Sequence, residues 1–342
     1  MRFKSSHMAV VMVTAWMGCV DEVDFDVEAP LDAALPLVID CTLVSGSPAT
    51  AVLSKGYPAD GEYYYTTVLG AYLEIIDLDD AQVSVGLYPF GKAYNGTRYQ
   101  AFDTIDLVEG HRYQLQVTLP DFKRFESTPQ RAQASGQIDS IYFEFVEGFN
   151  PNTNREEDGF NVYIDSTLPS DGENYTRWQV NGTYLIRTEI GECGSCMSMC
   201  WVSEREALPL VSRSRFSAGQ VVRRTFVKYI PINYSTFNDR YRVEVLQHII
   251  SRDAWEFYDA LRYQLENAAS LFQPAFSSLK GNVTSVNAGV PVIGIFTATL
   301  PARRAIYITG KDVPYKVRGV QQSGDCRNLP NSTAVKPAFW NP

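Results

Sequence analysis

From residue 37 onward the hydrophobic pattern of this chain has a period of two. Leu37, Ile39, Cys41 and Leu43 alternate with Val38, Asp40, Thr42 and Val44. Tyr113, Leu115, Val117 and Leu119 alternate in the same way with Arg112, Gln114, Gln116 and Thr118. Such alternation puts every second side chain on one face of an extended strand, so it selects β structure. Similar short runs stand at 51–54, 68–76 and 81–87. Turn-rich pieces separate them, such as Lys55-Gly56-Tyr57-Pro58-Ala59-Asp60-Gly61 and Gly91-Lys92-Ala93-Tyr94-Asn95-Gly96. Closely spaced strands with turn signals between them predict a β-sandwich over residues 35–120, of immunoglobulin-like or transthyretin-like kind.

Residues 121–136 are polar, contain Pro129 and Gly136, and read as a junction. Ile138-Asp139-Ser140-Ile141 then opens a second β-rich domain, 137–342, with strands predicted near 159–166, 175–190, 220–230, 239–250, 292–299 and 303–309. One segment changes period. Trp255, Tyr258, Leu261, Leu265, Ala268 and Phe272 recur at three and four, which predicts an amphipathic helix near 251–272. Ser251 or Asp253 caps its start, Arg252/Glu256 and Arg262/Glu266 stand at i,i+4, and Pro274 stops it. The fold class is therefore mostly β with one helix on the second domain. No repeat of fixed period and no low-complexity tract occurs.

The first residues set the compartment. Arg2 and Lys4 precede Met8–Met17, an uncharged run too short to span a bilayer as a helix but suited to export. Gly18 then stands before Cys19, the arrangement that a lipoprotein signal peptidase needs, although Trp16 and Met17 depart from the usual Leu and small residue. The expectation is a signal peptide over 1–18, a lipidated Cys19 and an acidic, lipid-anchored tether over 19–34. Removal of Arg2 and Lys4 takes the formal charge from −9 to −11. An acidic chain whose basic residues nowhere run beyond pairs excludes nucleic acid as a natural partner. The membrane, reached through the lipid, is the expected one.

Five further cysteines remain. Cys41 shares the apolar face of the first strand and reads as a buried thiol. Cys193, Cys196, Cys200 and the distant Cys326 fit two disulfides, a four-thiolate metal site or a redox pair. An exported chain lives where disulfides persist, which favours the first reading, and Cys326 joined to one of the cluster would staple the tail to the second domain. No catalytic constellation is visible. His111 and His248 fall in strand contexts, Asp77, Asp79 and Asp80 read as a solvated strand end, and no cofactor motif occurs. Tyr57, Tyr63, Tyr64, Tyr65 and Tyr94 crowd two turns of the first domain and form a candidate recognition surface; Tyr88, Phe90 and Tyr99 flank the second of these turns. Asp103-Thr104-Ile105, Asp139-Ser140-Ile141 and Asp165-Ser166-Thr167 match a short O-glycosylation tripeptide.

Several blocks taken in order resemble one family. They are the leader, Leu37-Val38-Ile39-Asp40, Ile138-Asp139-Ser140-Ile141, Cys200-Trp201 and Ala254-Trp255-Glu256-Phe257-Tyr258. Gly281-Asn282-Val283, Val292-Ile293-Gly294-Ile295-Phe296-Thr297-Ala298, Asp325-Cys326-Arg327 and Lys336-Pro337-Ala338-Phe339-Trp340 follow. Over residues 20–340 the chain is similar to the Bacteroidetes outer-membrane lipoproteins classed as domain of unknown function 4249. The resemblance implies a surface-exposed outer-membrane lipoprotein, accessory to a TonB-dependent transporter, without assigned catalytic residues or cofactor. The alternatives are a secreted cell-surface hydrolase and a purely structural envelope or adhesion protein.

Overall fold

The computed structural model describes residues 36–340 apart from 60–61, 95–97, 149, 151–155, 190–196, 207, 238, 268–278, 288 and 318–321. The signal peptide, Cys19, the tether, Cys193 and Cys196 lie outside the described residues. The alternation read from the sequence becomes β1 (Leu37–Val44), β2 (Ser47–Ala59), β3 (Glu62–Thr67), β4 (Tyr72–Leu78) and β5 (Ser84–Tyr94). These are followed by β6 (Arg98–Ile105), β7 (Arg112–Thr118), β8 (Arg124–Ser127) and β9 (Gln130–Arg131). Next come β10 (Gln137–Val146), β11 (Gly159–Thr167), β12 (Tyr175–Glu189), β13 (Met197–Arg205), β14 (Leu210–Val211), β15 (Val221–Pro231) and β16 (Arg240–Ile250). The helix α1 (Arg252–Asn267) precedes β17 (Val283–Ser285), β18 (Val292–Thr299), β19 (Ala302–Thr309), β20 (Gln322–Ser323) and β21 (Ser332–Thr333). The chain is mostly β with one α-helix among the described residues.

The first sheet runs β17-β8-β7-β4-β5-β6-β2-β1-β18, with β3 on β2 and β9 on β7. It curls round one core, in which Leu37, Ile39 and Leu43 of β1 meet Leu73, Ile75, Tyr113 and Phe296. Each such side chain contributes about 1.5–3 kcal/mol on leaving water. The sheet does not stop at residue 120. β8 and β9 fall within 121–136, and β17 and β18 return from far along the chain, with Leu37 of β1 parallel to Val292 of β18. Gly281 and Gly294 permit this return, because a Cβ on Gly281 would stand 1.6 Å from the Gly294 carbonyl oxygen.

Two further sheets pack face to face. The three-stranded one runs β10-β11-β15; the seven-stranded one runs β19-β16-β12-β13-β21, with β14 and β20 on β12. Between them Ile138, Phe160 and Val162 pack on Trp178, Val180, Val243 and Val245. Ser251 Oγ accepts from the Ala254 amide at 3.4 Å at the start of α1, and Arg252–Glu256 and Arg262–Glu266 pair at 2.7 and 3.2 Å. The buried helix face differs from the expected stripe. Ala254, Phe257 and Tyr258 are buried against Ile250, Val211 and Ile295, whereas Leu265 is 45% exposed. The apolar stripe seats only where these partners meet it, in the first two turns. Ala268, Phe272 and Pro274 lie outside the described residues.

Cys200 on β13 and Cys326 form a disulfide with Cα atoms 5.9 Å apart, both buried. It ties the C-terminal tail to the seven-stranded sheet, where Trp340 packs on Leu185 and Trp201. The bond removes two thiolates from the four-thiolate reading. Cys41 is a buried free thiol.

Candidate functional site

A strand has two faces, and on β1 only one enters the first core. The other carries Asp40, Thr42 and Val44. On β12 the same division sends Trp178 and Val180 inward and leaves Arg177, Gln179 and Asn181 on the far face. Residues of the two faces converge on a cleft of about 340 Å³ between the first and the seven-stranded sheets. Asp40, Thr42, Thr50 and Arg98 line one wall; Arg177, Gln179, Asn181, Arg205, Glu244, Leu246 and Arg303 line the other. The register explains the company. Asn181 stands opposite Glu244 and Gln179 opposite Leu246 on β16, and Leu246 opposite Arg303 on β19.

The charges do not cancel. Four guanidinium groups face two carboxylates, in a chain whose formal charge is −9. Glu244 is already engaged, accepting from Arg242 Nη2 at 2.9 Å and from Asn181 Nδ2 at 3.4 Å. Among the described residues Arg98, Arg177, Arg205 and Arg303 form no ion pair. Arg177 is held in place, its guanidinium carbon 4.2 Å from the centre of the Tyr258 ring and its Nη1 donating to Tyr258 Oη at 3.4 Å. Burial pushes the Tyr258 phenol up to about 12, so it stays a neutral platform. Asp40 is open to water at the cleft, yet enough protein surrounds it that desolvation raises its pKa, while Arg177 and Arg98 pull it back. Guanidinium groups without a carboxylate partner recognise carboxylate, sulfate or phosphate oxygens by charge-assisted hydrogen bonds.

His111 and His248 hold structural positions. His111 Nδ1 bonds Asp77 Oδ1 at 2.9 Å, which also takes Asp77 out of any solvated cluster, since that carboxylate is buried. Asp79 instead accepts from the Ala81 and Val83 amides and shapes a turn. His248 is buried beside the cleft with Nδ1 3.0 Å from Thr299 Oγ1. Burial, and then Arg177 and Arg303, lower its pKa to about 3, so it is neutral at physiological pH. No cluster of three or more metal-ligating side chains occurs among the described residues.

The tyrosine surface and the cleft are different places. Tyr64 and Tyr65 are exposed on β3, where Tyr64 stands opposite Tyr57 of β2 and Tyr65 opposite Gly56. The side chains of Tyr57, Tyr63 and Tyr94 lie outside the described residues. Tyr99 and Phe90 belong to the core instead, because the Tyr99 hydroxyl donates to the Val68 carbonyl at 2.8 Å and accepts from the Ala71 amide at 3.1 Å. Of the glycosylation-like tripeptides, Ser166 is fully buried. The four cleft arginines were missed in the sequence. Their one signal is the polar alternation Arg177-x-Gln179-x-Asn181, which reads equally as a solvated strand face.

No described helix is long and apolar enough to cross a membrane. A family model described as "Domain of unknown function (DUF4249)" matches residues 20–304. No curated protein matches the chain.

Proposed function

The chain belongs to the DUF4249 family, and from that premise we propose that it is a non-catalytic, lipid-anchored outer-membrane protein that captures an anionic ligand. On this reading Cys19 carries the lipid, the body faces the cell exterior, and the protein serves a TonB-dependent transporter by docking or by delivering what it holds. One observation carries the ligand class: four unpaired arginines share a cleft in an otherwise acidic chain. Calorimetric titration of the purified chain with citrate, pyrophosphate and a uronic-acid oligosaccharide tests it. At least one should bind, with an affinity that falls as salt rises and drops about tenfold or more in an Arg98→Ala/Arg303→Ala double variant. Absence of binding to all three, or an unaffected double variant, would sink the capture reading. Pull-down from detergent-solubilised membranes tests the transporter, and recovery without any barrel protein counts against it.

A second reading, a surface hydrolase, draws support from Asp40 and Glu244 lining the same cleft, the first with its pKa raised and the second ion-paired with Arg242. Two carboxyl groups in one cleft, one with its pKa raised by burial and the other held by an arginine, form the kind of unequal pair that glycoside hydrolysis uses. Asp40→Asn decides between the two: turnover of an acidic glycan that this variant abolishes favours the hydrolase, and retained binding without turnover in either protein favours capture.

A further inference from the structure

The turn joining β7 to β8 displays an aromatic ring in a conformation that such a residue rarely adopts. Phe122 has φ +63° and is 80% exposed. A left-handed backbone is unfavourable for a residue with a Cβ, and Phe122 recovers nothing by burial within the chain. The turn is nonetheless fixed. The Leu119 amide donates to the Lys123 carbonyl and the Phe122 amide to the Leu119 carbonyl, both at 2.9 Å. Asn287 clamps it from outside, donating to the Phe122 carbonyl at 3.0 Å and accepting from the Arg124 amide at 2.8 Å. A strained ring held rigidly outward points to something beyond the chain.

Its surroundings identify that something. Leu69 is 57% and Val286 48% exposed. Gly70, the neighbour of Leu69, would bring a Cβ within 3.5 Å of Pro120 on the same turn, and the Val286 amide donates to the Arg124 carbonyl. Behind the tip lies an apolar groove of about 300 Å³ walled by Leu37, Val68, Leu119 and Val290, with Lys55 and Lys123 at its edge. Lys123 is paired with Asp121 at 2.8 Å, whereas Lys55 and Arg124 have no ion pair among the described residues. Apolar tips with Lys55 and Arg124 beside them, and Asp121 already held by Lys123, suit the headgroup–acyl boundary of a bilayer. Leu37 is also where the chain from Cys19 reaches the first sheet. The two positions are eighteen steps apart along the chain, a reach of at most about 65 Å.

We propose that this end of the first sheet is a membrane-contact surface, with Phe122 and Leu69 inserted among phospholipid acyl chains and Lys55 and Arg124 at the phosphates. The proposal rests on the reading of Cys19 as the lipid anchor. It adds a second contact with the bilayer, made by the body itself.

Quenching by lipids brominated on their acyl chains tests it, using the acylated chain in vesicles of phosphatidylethanolamine and phosphatidylglycerol. Phe122→Trp should gain an emission that these lipids reduce about twofold or more, while Phe226→Trp, on β15 of another sheet, should not respond. Equal response of the two variants overturns the proposal. Phe122→Gly relieves the left-handed strain and should keep or raise the melting temperature, while acylation of Lys55 by a water-soluble reagent becomes at least threefold faster on vesicles. A Lys55 that is shielded only in native membranes, and not in pure lipid, assigns the surface to a protein partner and overturns the lipid. The mass of the Cys19 peptide is read in the same sample. An unmodified Cys19 removes the anchor; quenching of Phe122→Trp on mixing with vesicles then still upholds the surface, and its absence overturns it.

Discussion

Arginine at position 177 shows how much one strand residue is asked to do. It stacks on Tyr258, stands beside Asp40 and faces the cleft. Arg177→Gln is expected to weaken anion binding about tenfold by calorimetry and to lower the melting temperature by only a few degrees, since what the fold loses is the stacking on Tyr258. His248 makes the opposite kind of prediction. Its pKa is about 3 in the folded chain against 6.5 as the ordinary value. The unfolded chain therefore takes up a proton below about pH 6.5 that the folded one refuses, and stability is lost as pH falls from there towards 3. The slope approaches 1.4 kcal/mol per pH unit. Urea titrations at pH 7 and pH 4.5 should show this loss, and His248→Gln should flatten it. Asp40 runs the other way: its raised pKa gives stability at acid pH that disappears as pH rises through the folded value. Asp40→Asn should therefore be the more stable protein at pH 7 and indistinguishable at pH 3. The sequence marked both histidines as structural from their strand context. It gave no notice of the raised carboxyl, because the burial of Asp40 is set by how the strands assemble round it and not by the alternation of its own strand.

At the scale of elements, strands were the legible part. The alternation of β1 and β7 predicted their buried faces residue by residue, since a period of two has one geometric solution. The helix was found with its cap and its i,i+4 pairs, but the buried face was shifted to Ala254, Phe257 and Tyr258. Periodicity shows that a helix has an apolar side; it does not show how much of that side finds a partner. The tail is held by chemistry rather than by regular structure. Cys200 and Cys326 lie 126 residues apart, and closing a loop of that length stabilises by about 4–5 kcal/mol in the chain-entropy model. Reduction, or a Cys200→Ala/Cys326→Ala variant, should lower the unfolding free energy by an amount of that order in denaturant. Tryptic cleavage after Arg327 should also become faster, as β21 and Trp340 lose their tie.

For the molecule as a whole, the decisive event is the return of β17 and β18 to a sheet begun nearly 250 residues earlier. A fragment ending at residue 136 would leave β1 without its parallel neighbour and the core without Phe296. Such a fragment should fail to give a cooperative thermal transition by circular dichroism, although the strand pattern alone suggests a self-contained sandwich. The cleft depends on the same return, because β18 and β19 are consecutive and belong to different sheets. By itself the sequence determined the mostly β class, the strand faces, the helix α1 and the family, all of which follow from local periodicity and ordered short blocks. Only the tertiary structure decided that Arg98, Arg177, Arg205 and Arg303 share one cleft and that Phe122 stands strained at an apolar tip. Periodicity fixes which way a side chain points from its own strand, whereas a site is made by what the opposing strand presents, and that is set by long-range pairing.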